Sequence, residues 1–341
     1  MKKILIIQKK RIGDVLTSTI LLEALKEKYP SSELHYLIYP NSFAVVDKNP
    51  FYDKLIILDE ETRKKSFKFL SFLFKIRKEK YDIVVDAYGK PNSVLIGWLS
   101  GAKIKITFNK LYSKLLYTHS LERNKISFSN ATTAIEHRML LLKPLGIDFK
   151  IYKPKIVLSE SEKNDAKEYL IQNNIDINKP IIMISAVGSR DFKTYPLHYM
   201  AKVLDYICQN TNAQLLFNYM PDQKPIAEEI YNLSNPETQK NIFLDVYQND
   251  IRKFLALTSL CEALIGNEGG ATNMAKALDI PTFTIFAPSV PKQDWNMFEN
   301  ETTNISVHLH DFLPEEQAYE KFEPTLFTNQ LKAFLIHNCT K

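Results

Sequence analysis

Residues 3–30 read KILIIQKKRIGDVLTSTILLEALKEKYP, an apolar run over Lys3–Ile7, a polar turn over Gln8–Asp14, and apolar residues again at Leu16, Ile20, Leu21 and Leu25. A continuous apolar run bounded by polar residues is a strand covered on both faces, and the spacing after the turn is the single apolar stripe of a helix. Strand, short turn and amphipathic helix form the first half of a βαβ unit, so the segment predicts an α/β chain with parallel sheets between helices.

The alternation continues outward from this unit. Further strands are expected at Glu33–Ile38, Lys54–Ile57, Ile83–Asp86 and Lys103–Ile106, and in the second half at Ile181–Ser185, Ala213–Phe217, Asn241–Phe243, Ala263–Ile265 and Thr282–Phe286. Helices are expected over Thr133–Leu145, from near Pro196, Asp222, Asp250 and Gly270, and over Pro324–His337. A chain of 341 residues is long enough for two domains. The extended, Lys- and Pro-containing stretch Asp148–Leu158 separates them, which gives domains at 1–155 and 156–322 and a terminal helical segment at 323–341. That last helix either stays with the second domain or returns to brace the first.

Composition excludes several classes. Hydrophobic residues make up 45% and charged residues 24%, the balance of a folded globular protein rather than a disordered or fibrous one. Three cysteines, Cys208, Cys261 and Cys339, are too few and too scattered for a disulfide framework or a thiolate metal site, which fits a reducing cytoplasm. The start MKKILIIQKKRIGD lacks the cleavage site of a secretory signal, and no apolar run approaches the roughly 20 residues of a membrane span.

Charge is unevenly spread. Residues 1–150 hold 27 Lys and Arg against 15 Asp and Glu, and the remainder 17 against 24, so a net +5 conceals a basic first half that suits an anionic partner. Within it, Glu61–Lys80 carries eight basic and two acidic residues around Phe67, Phe69, Leu70, Phe72, Leu73, Phe74 and Ile76. It is either a basic amphipathic helix on an anionic membrane surface or a helix packed on the sheet with solvated lysines. No nucleic-acid recognition motif accompanies the charge.

Ligands of open α/β sheets bind beyond the carboxyl ends of the strands, so the turns there are the candidate sites. In the first turn, Gly13 permits close backbone approach, and Asp14 is either a helix-start residue favoured by the helix dipole or a general base. In Ile184–Pro196, ISAVGSRDFKTYP, the small residues Ser185, Gly188 and Ser189 and the cation Lys193 suit a phosphate or diphosphate. In Leu264–Ala277, LIGNEGGATNMAKA, glycines 266, 269 and 270 strip the entry to a helix, Glu268 offers an acceptor for sugar or ribose hydroxyls and Asn273 a donor to phosphate. Alternatively these glycines serve packing alone. No Walker loop and no GxGxxG occur, which disfavours mononucleotide hydrolases and ordinary dinucleotide dehydrogenases.

Taken together, QKKRIGDVLTSTILLEALKEKYP, ISAVGSRDFKTYP and IGNEGGATNMAKALDIPTFTIFAP resemble, in order and spacing, the heptosyltransferases of lipopolysaccharide core assembly, glycosyltransferase family nine. The resemblance runs over nearly the whole chain. It implies a GT-B fold, two Rossmann-like domains facing across a cleft, and an inverting, metal-independent sugar transfer from a nucleotide-diphosphate donor such as ADP-heptose to an anionic lipid-linked glycan. It implies Asp14 as catalytic base and Lys193 as the cation on the departing diphosphate. The chain shows no DxD clamp and calls for no metal and no cofactor beyond the donor substrate. Asn218 and Gln223, in Phe217–Gln223, fall where the family contacts the nucleoside; Gly13, Lys90, His137 and Arg138 fall on the acceptor side. The expected place of action is the cytoplasm, at the inner face of the cytoplasmic membrane.

Glu268 and Asn273 depart from the Asp and His of the better-known members, which leaves the donor sugar open. A GT-B-like sugar-nucleotide epimerase and an inactive nucleotide- or glycan-binding protein are the alternatives.

Overall fold

The computed structural model describes residues 1–123 and 126–339. The chain divides into two compact units, Met1–Val157 and Leu158–Lys341, against the expected boundary after residue 155.

The first unit is built on β1 (Lys3–Ile7), β2 (Glu33–Ile38), β3 (Lys54–Ile57), β4 (Ile83–Asp86), β5 (Ile104–Phe108) and β6 (His119–Leu121). They form one parallel sheet in the order β3-β2-β1-β4-β5-β6. Ile4, Leu5, Ile6 and Ile7 are fully buried, as a central strand covered on both faces requires. The connections run one way from β1 to β2 and the other way from β4 to β5, so the sheet changes direction between β1 and β4, where a crevice opens at the strands' carboxyl ends.

The second unit repeats the plan with β7 (Ile181–Ser185), β8 (Gln214–Asn218), β9 (Ile242–Phe243), β10 (Ala263–Asn267), β11 (Thr282–Phe286) and β12 (Asn304–His308). Their order, β12-β11-β10-β7-β8-β9, puts the change of direction between β7 and β10. The turns after β1 and β4, and after β7 and β10, are thus the places where each sheet offers a site.

Each sheet has six strands where the sequence suggests five. The extra strands, β6 and β12, lie at sheet edges and carry polar residues, HSL and NISVH, so neither shows the continuous apolar run of a central parallel strand. The helix expected over Thr133–Leu145 is α-helical only over Thr132–Leu140 and then tightens to a 3₁₀ turn at Lys143–Leu145, where Pro144 lacks the N–H that would continue it. The terminal helix, Thr328–Asn338, sends Leu331, Phe334 and Leu335 into the core of the second unit beside Phe283 and Phe327. Residues 60–78 form two helices, Glu60–Lys64 and Ser66–Lys78, broken at Lys65. The longer one packs Leu73 and Ile76, with Phe69 and Phe72 alongside, onto the sheet. Among the described residues no helix is long and apolar enough to cross a membrane.

Candidate functional site

In the first unit the chain leaves β1 through Gln8–Arg11 and enters the helix Ile12–Ser18. Arg11 takes φ 65°, a left-handed value that costs a non-glycine residue about 1 kcal/mol or more and is concentrated at functional turns. The turn sets Gly13 and Asp14 in the first helical turn, and the Gly13 carbonyl accepts from Thr17 Oγ1. Asp14 does not cap the helix. Its Oδ1 accepts from Arg138 Nη2 at 2.9 Å, while Oδ2 has no hydrogen-bond donor among the described residues and the side chain remains about a quarter (26%) exposed. One oxygen is therefore oriented by a guanidinium and the other is open, the disposition a general base needs.

Arg138, expected on the acceptor, is instead engaged within the domain: Nε donates to Ser18 Oγ, Nη1 to the Ala134 carbonyl, and Nη2 to both the carbonyl and the carboxylate of Asp14. His137 lies edge-on to Phe108, with ring centroids 6.3 Å apart. Lys90 stands exposed where the turn after β4 enters the helix Pro91–Leu99, its backbone N–H held by Ser93 Oγ.

Behind these residues lies a polar cluster that the sequence pattern does not reveal. Lys9 is fully buried; its ammonium donates to Asn92 Oδ1 and faces the rings of Tyr39 and Tyr88, 5.6 and 5.5 Å from their centroids. Burial pushes this ammonium below its ordinary pKa, and the nearby Asp86 carboxylate offsets part of the shift. Asp86, also fully buried, is raised by desolvation against the pull of its donors. It accepts from the amides of Tyr88 and Gly89 and from Tyr117 OH. Lys9 and Asn92 thus join the turn after β1 to the start of the helix Pro91–Leu99 that follows β4.

The second unit has an equivalent tie. Asn267, at the end of β10 and fully buried, donates from Nδ2 to the carbonyls of Ser185 and Ala186 and accepts at Oδ1 from the Tyr195 amide at 2.7 Å. Close backbone approach makes this possible. A Cβ at Gly266, whose φ is 130°, would stand 2.5 Å from the Ser185 oxygen. Likewise a Cβ at Gly188 would stand 2.5 Å from the Lys193 oxygen.

Around this frame the expected donor-side residues gather. Lys193 Nζ donates to Glu268 Oε1 at 2.5 Å, so the two groups singled out in separate motifs meet as an ion pair. Ser185 is buried at the end of β7, and Ser189 is exposed beside the pair's turn. Gln223 is committed elsewhere, since its amide accepts from the Met220 N–H and donates to the Gly188 carbonyl. Asn218 closes β8, half-buried, and Asn273 lies half-buried near the start of the helix Gly270–Ala277.

Gly269 and Gly270, at the entry to that helix, bear on whether the glycines serve packing alone. A Cβ at Gly269 would meet nothing within 4 Å, and one at Gly270 only the Met274 methyl at 3.9 Å. The φ of 162° at Gly269 is extended backbone open to any residue. Neither packing nor conformation asks for glycine at these two positions. What their small size leaves is uncovered backbone N–H at the positive end of a helix, a setting for an anion. Tyr319, not anticipated from the sequence, puts a buried hydroxyl near Glu268 with no hydrogen-bond partner among the described residues; burial and the Glu268 charge both raise its pKa. Among the described residues no cluster of His, Cys, Asp and Glu is placed to hold a metal ion.

Comparison with known proteins agrees with this layout. The sequence profile described as glycosyltransferase family 9 (heptosyltransferase) matches residues 69–324. Lipopolysaccharide heptosyltransferase 1 of Campylobacter coli is 24% identical over 292 residues, 83% of each chain. Among solved structures, a glycosyl transferase family 9 protein of Veillonella parvula superposes with a TM-score of 0.80 at 18% identity, covering 97% of this chain and 96% of that one. The ADP-heptose LPS heptosyltransferase II of Escherichia coli superposes with a TM-score of 0.72 at 18% identity, covering 98% and 99%. The paired Rossmann-like units have the GT-B fold implied by the sequence motifs.

Proposed function

The chain belongs to glycosyltransferase family 9, the heptosyltransferase family, and we propose that it transfers a heptose or related sugar, with inversion and without a metal, from a nucleotide-diphosphate donor to a lipopolysaccharide core or similar lipid-linked glycan. The second domain holds the donor and the first the acceptor. The observation that carries this reading is the meeting of Lys193 with Glu268 beside the open glycine entry at 269–270, a cation and a row of free amides suited to a diphosphate. ADP-heptose is the donor this reading favours, by likeness to the ADP-heptose LPS heptosyltransferase II of Escherichia coli.

In the proposed reaction the acceptor hydroxyl attacks the anomeric carbon, its proton passes to the open oxygen of Asp14, and the bond to the diphosphate breaks on the opposite face of the sugar. Arg138 orients the base. Lys193 exchanges Glu268 for the diphosphate and offsets the charge that develops on it; Glu268, once released, is free to accept from donor hydroxyls. Ser185, Gly188, Ser189, Gly269, Gly270 and Asn273 border the diphosphate, and Asn218 lies toward the nucleoside, with Gln223 bracing the Gly188 turn behind them. Gly13, Lys90 and His137 border the acceptor. The basic first half suits anionic lipid, and the reading locates the transfer at the inner face of the cytoplasmic membrane.

Thermal denaturation of the protein with ADP, GDP, UDP or CDP, followed by transfer assays with the sugar of the stabilising nucleotide, tests the reading. Stabilisation by ADP and formation of an anomer-inverted product are expected. No stabilisation by any nucleoside diphosphate would refute it, and donor conversion without acceptor would make the protein an epimerase.

A further inference from the structure

The helix Ser66–Lys78, SFKFLSFLFKIRK, is apolar on two sides. Its inward side, Phe69, Phe72, Leu73 and Ile76, packs on the first sheet. Its outward side carries Phe67, Leu70 and Phe74, spaced by three and four residues so that they form one stripe, and these are 83%, 52% and 61% exposed. A helix apolar all round belongs in an interior, and one left at the surface calls for something to cover it.

The charges around the stripe indicate what that is. The helix contains no Asp or Glu, and Lys75, Arg77 and Lys78 have no acidic partner among the described residues. The two nearest carboxylates are already matched by lysines: Glu61 pairs with Lys65 and Lys68, and Glu79 with Lys3 and Lys54. Beside the helix, the edge strand β3 leaves a groove of about 590 Å³ whose apolar wall, Leu55, Ile57 and Phe72, is rimmed by Lys54, Lys75 and Lys78 and by Glu79, the carboxylate that Lys3 and Lys54 match. A protein partner or second copy would need its own acidic residues set around an apolar ridge. A bilayer of anionic phospholipid supplies both chemistries at once, phosphate at the depth of the lysines and hydrocarbon below it.

We propose that the outward face of this helix, Phe67, Leu70 and Phe74 with Lys75 and Lys78, docks the protein on an anionic lipid bilayer. The helix lies in the plane of the interface with its aromatic and aliphatic side chains among the acyl chains. This lipid surface is the partner that the proposed transfer to a lipid-linked acceptor requires; the docking face rests on that reading but is tested separately.

The test is co-sedimentation of the full chain with phosphatidylcholine vesicles, with and without phosphatidylglycerol, at low and high salt. The protein is expected to bind the phosphatidylglycerol vesicles, less so as salt rises, and to ignore the neutral ones. The variant Phe67→Ser/Leu70→Ser/Phe74→Ser is expected to lower partitioning about tenfold or more, and Lys75→Glu/Lys78→Glu by at least about fivefold per lysine. Both variants should keep the wild-type melting temperature and nucleoside-diphosphate binding. Equal partitioning of the serine variant and the wild type, or no discrimination between the two vesicles, overturns the proposal. A dimer in solution that the serine substitutions dissolve assigns the face to a second copy and also overturns it. Loss of nucleoside-diphosphate binding by the wild type, with vesicle binding intact, would count against the transferase reading and leave the docking face standing.

Discussion

Arg138 and Asp14, 124 residues apart in the chain, are joined through both the backbone and the side chain: Nη2 of the arginine reaches the Asp14 carboxylate at 2.9 Å and its carbonyl at 3.2 Å. The pair fixes the carboxylate relative to the helix that carries it. Asp14→Asn keeps that hydrogen-bonding shape and removes the basic oxygen, so turnover is expected to fall by about two decades or more while nucleoside-diphosphate affinity is unchanged. Steady-state kinetics alongside calorimetric titration separates the two quantities.

Removing the arginine has a different signature. Arg138→Ala leaves the Ser18 hydroxyl and the Asp14 carboxylate without their donor, and a stability loss of about 1–3 kcal/mol in urea unfolding is expected together with lower kcat. Arg138→Lys restores the charge but not the fork of donors, so stability should recover further than turnover.

Lys193 is held by Glu268 in the free protein. Lys193→Ala is expected to weaken nucleoside-diphosphate binding about tenfold or more and to flatten its salt dependence, because the ligand loses its nearest cation. Binding isotherms at two ionic strengths check this, and an unchanged salt slope would remove Lys193 from the diphosphate.

Two glycines of one turn should respond in opposite ways. Gly266→Ala forces a Cβ to 2.5 Å from the Ser185 oxygen at a φ of 130°, so a loss of about 2 kcal/mol or more in stability is expected. Gly270→Ala begins a helix in open space, so the melting temperature should hold or rise while nucleoside-diphosphate affinity falls. Thermal melts of both variants with and without ADP distinguish the two effects.

Burial raises Asp86 to about 6 from its ordinary 3.8. The folded state then holds the proton more tightly than the unfolded chain, so the contribution of this group to stability is fully present below about pH 4 and is lost as pH rises toward 6. Asp86→Asn does not titrate, and its stability relative to wild type should therefore improve as pH rises over that interval. Urea unfolding of both proteins across the interval measures the slope.

The strand-turn-helix units around Lys3–Ile7, Ile181–Ser185 and Ala263–Asn267 are legible in the sequence because a central parallel strand needs an unbroken apolar run and a glycine or acidic residue announces the helix after it. Edge strands β6 and β12 are not: β6 buries none of its residues, and β12 buries polar residues, Asn304, Ser306 and His308, that side-chain hydrogen bonds engage, so neither shows an unbroken apolar run. Asp14, Lys193 and Glu268 stand out by their place after strands. Who pairs with whom does not, because a bond such as Arg138 to Asp14 depends on how distant helices pack and leaves no mark in local spacing. Asn267 and Lys9 stay hidden for a related reason: a polar residue at a strand end looks like the start of a loop, and only burial shows it to be a tie. The pattern of Ser66–Lys78 is compatible with a helix on a membrane and with one packed on the sheet; the structure shows its inner side packed and its outer stripe uncovered.

The single amide of Asn267 grips three backbone groups, two on the segment leaving β7 and one at Tyr195. A loop clamped at both its root and its far end has little conformational freedom left to surrender when a ligand arrives, so the entropic penalty of ordering it has already been met during folding. The amides of Gly188 and Tyr195, which donate to Thr194 Oγ1 and Asn267 Oδ1, should consequently exchange their hydrogens slowly, and recognition there should proceed as fit to a ready-made mould.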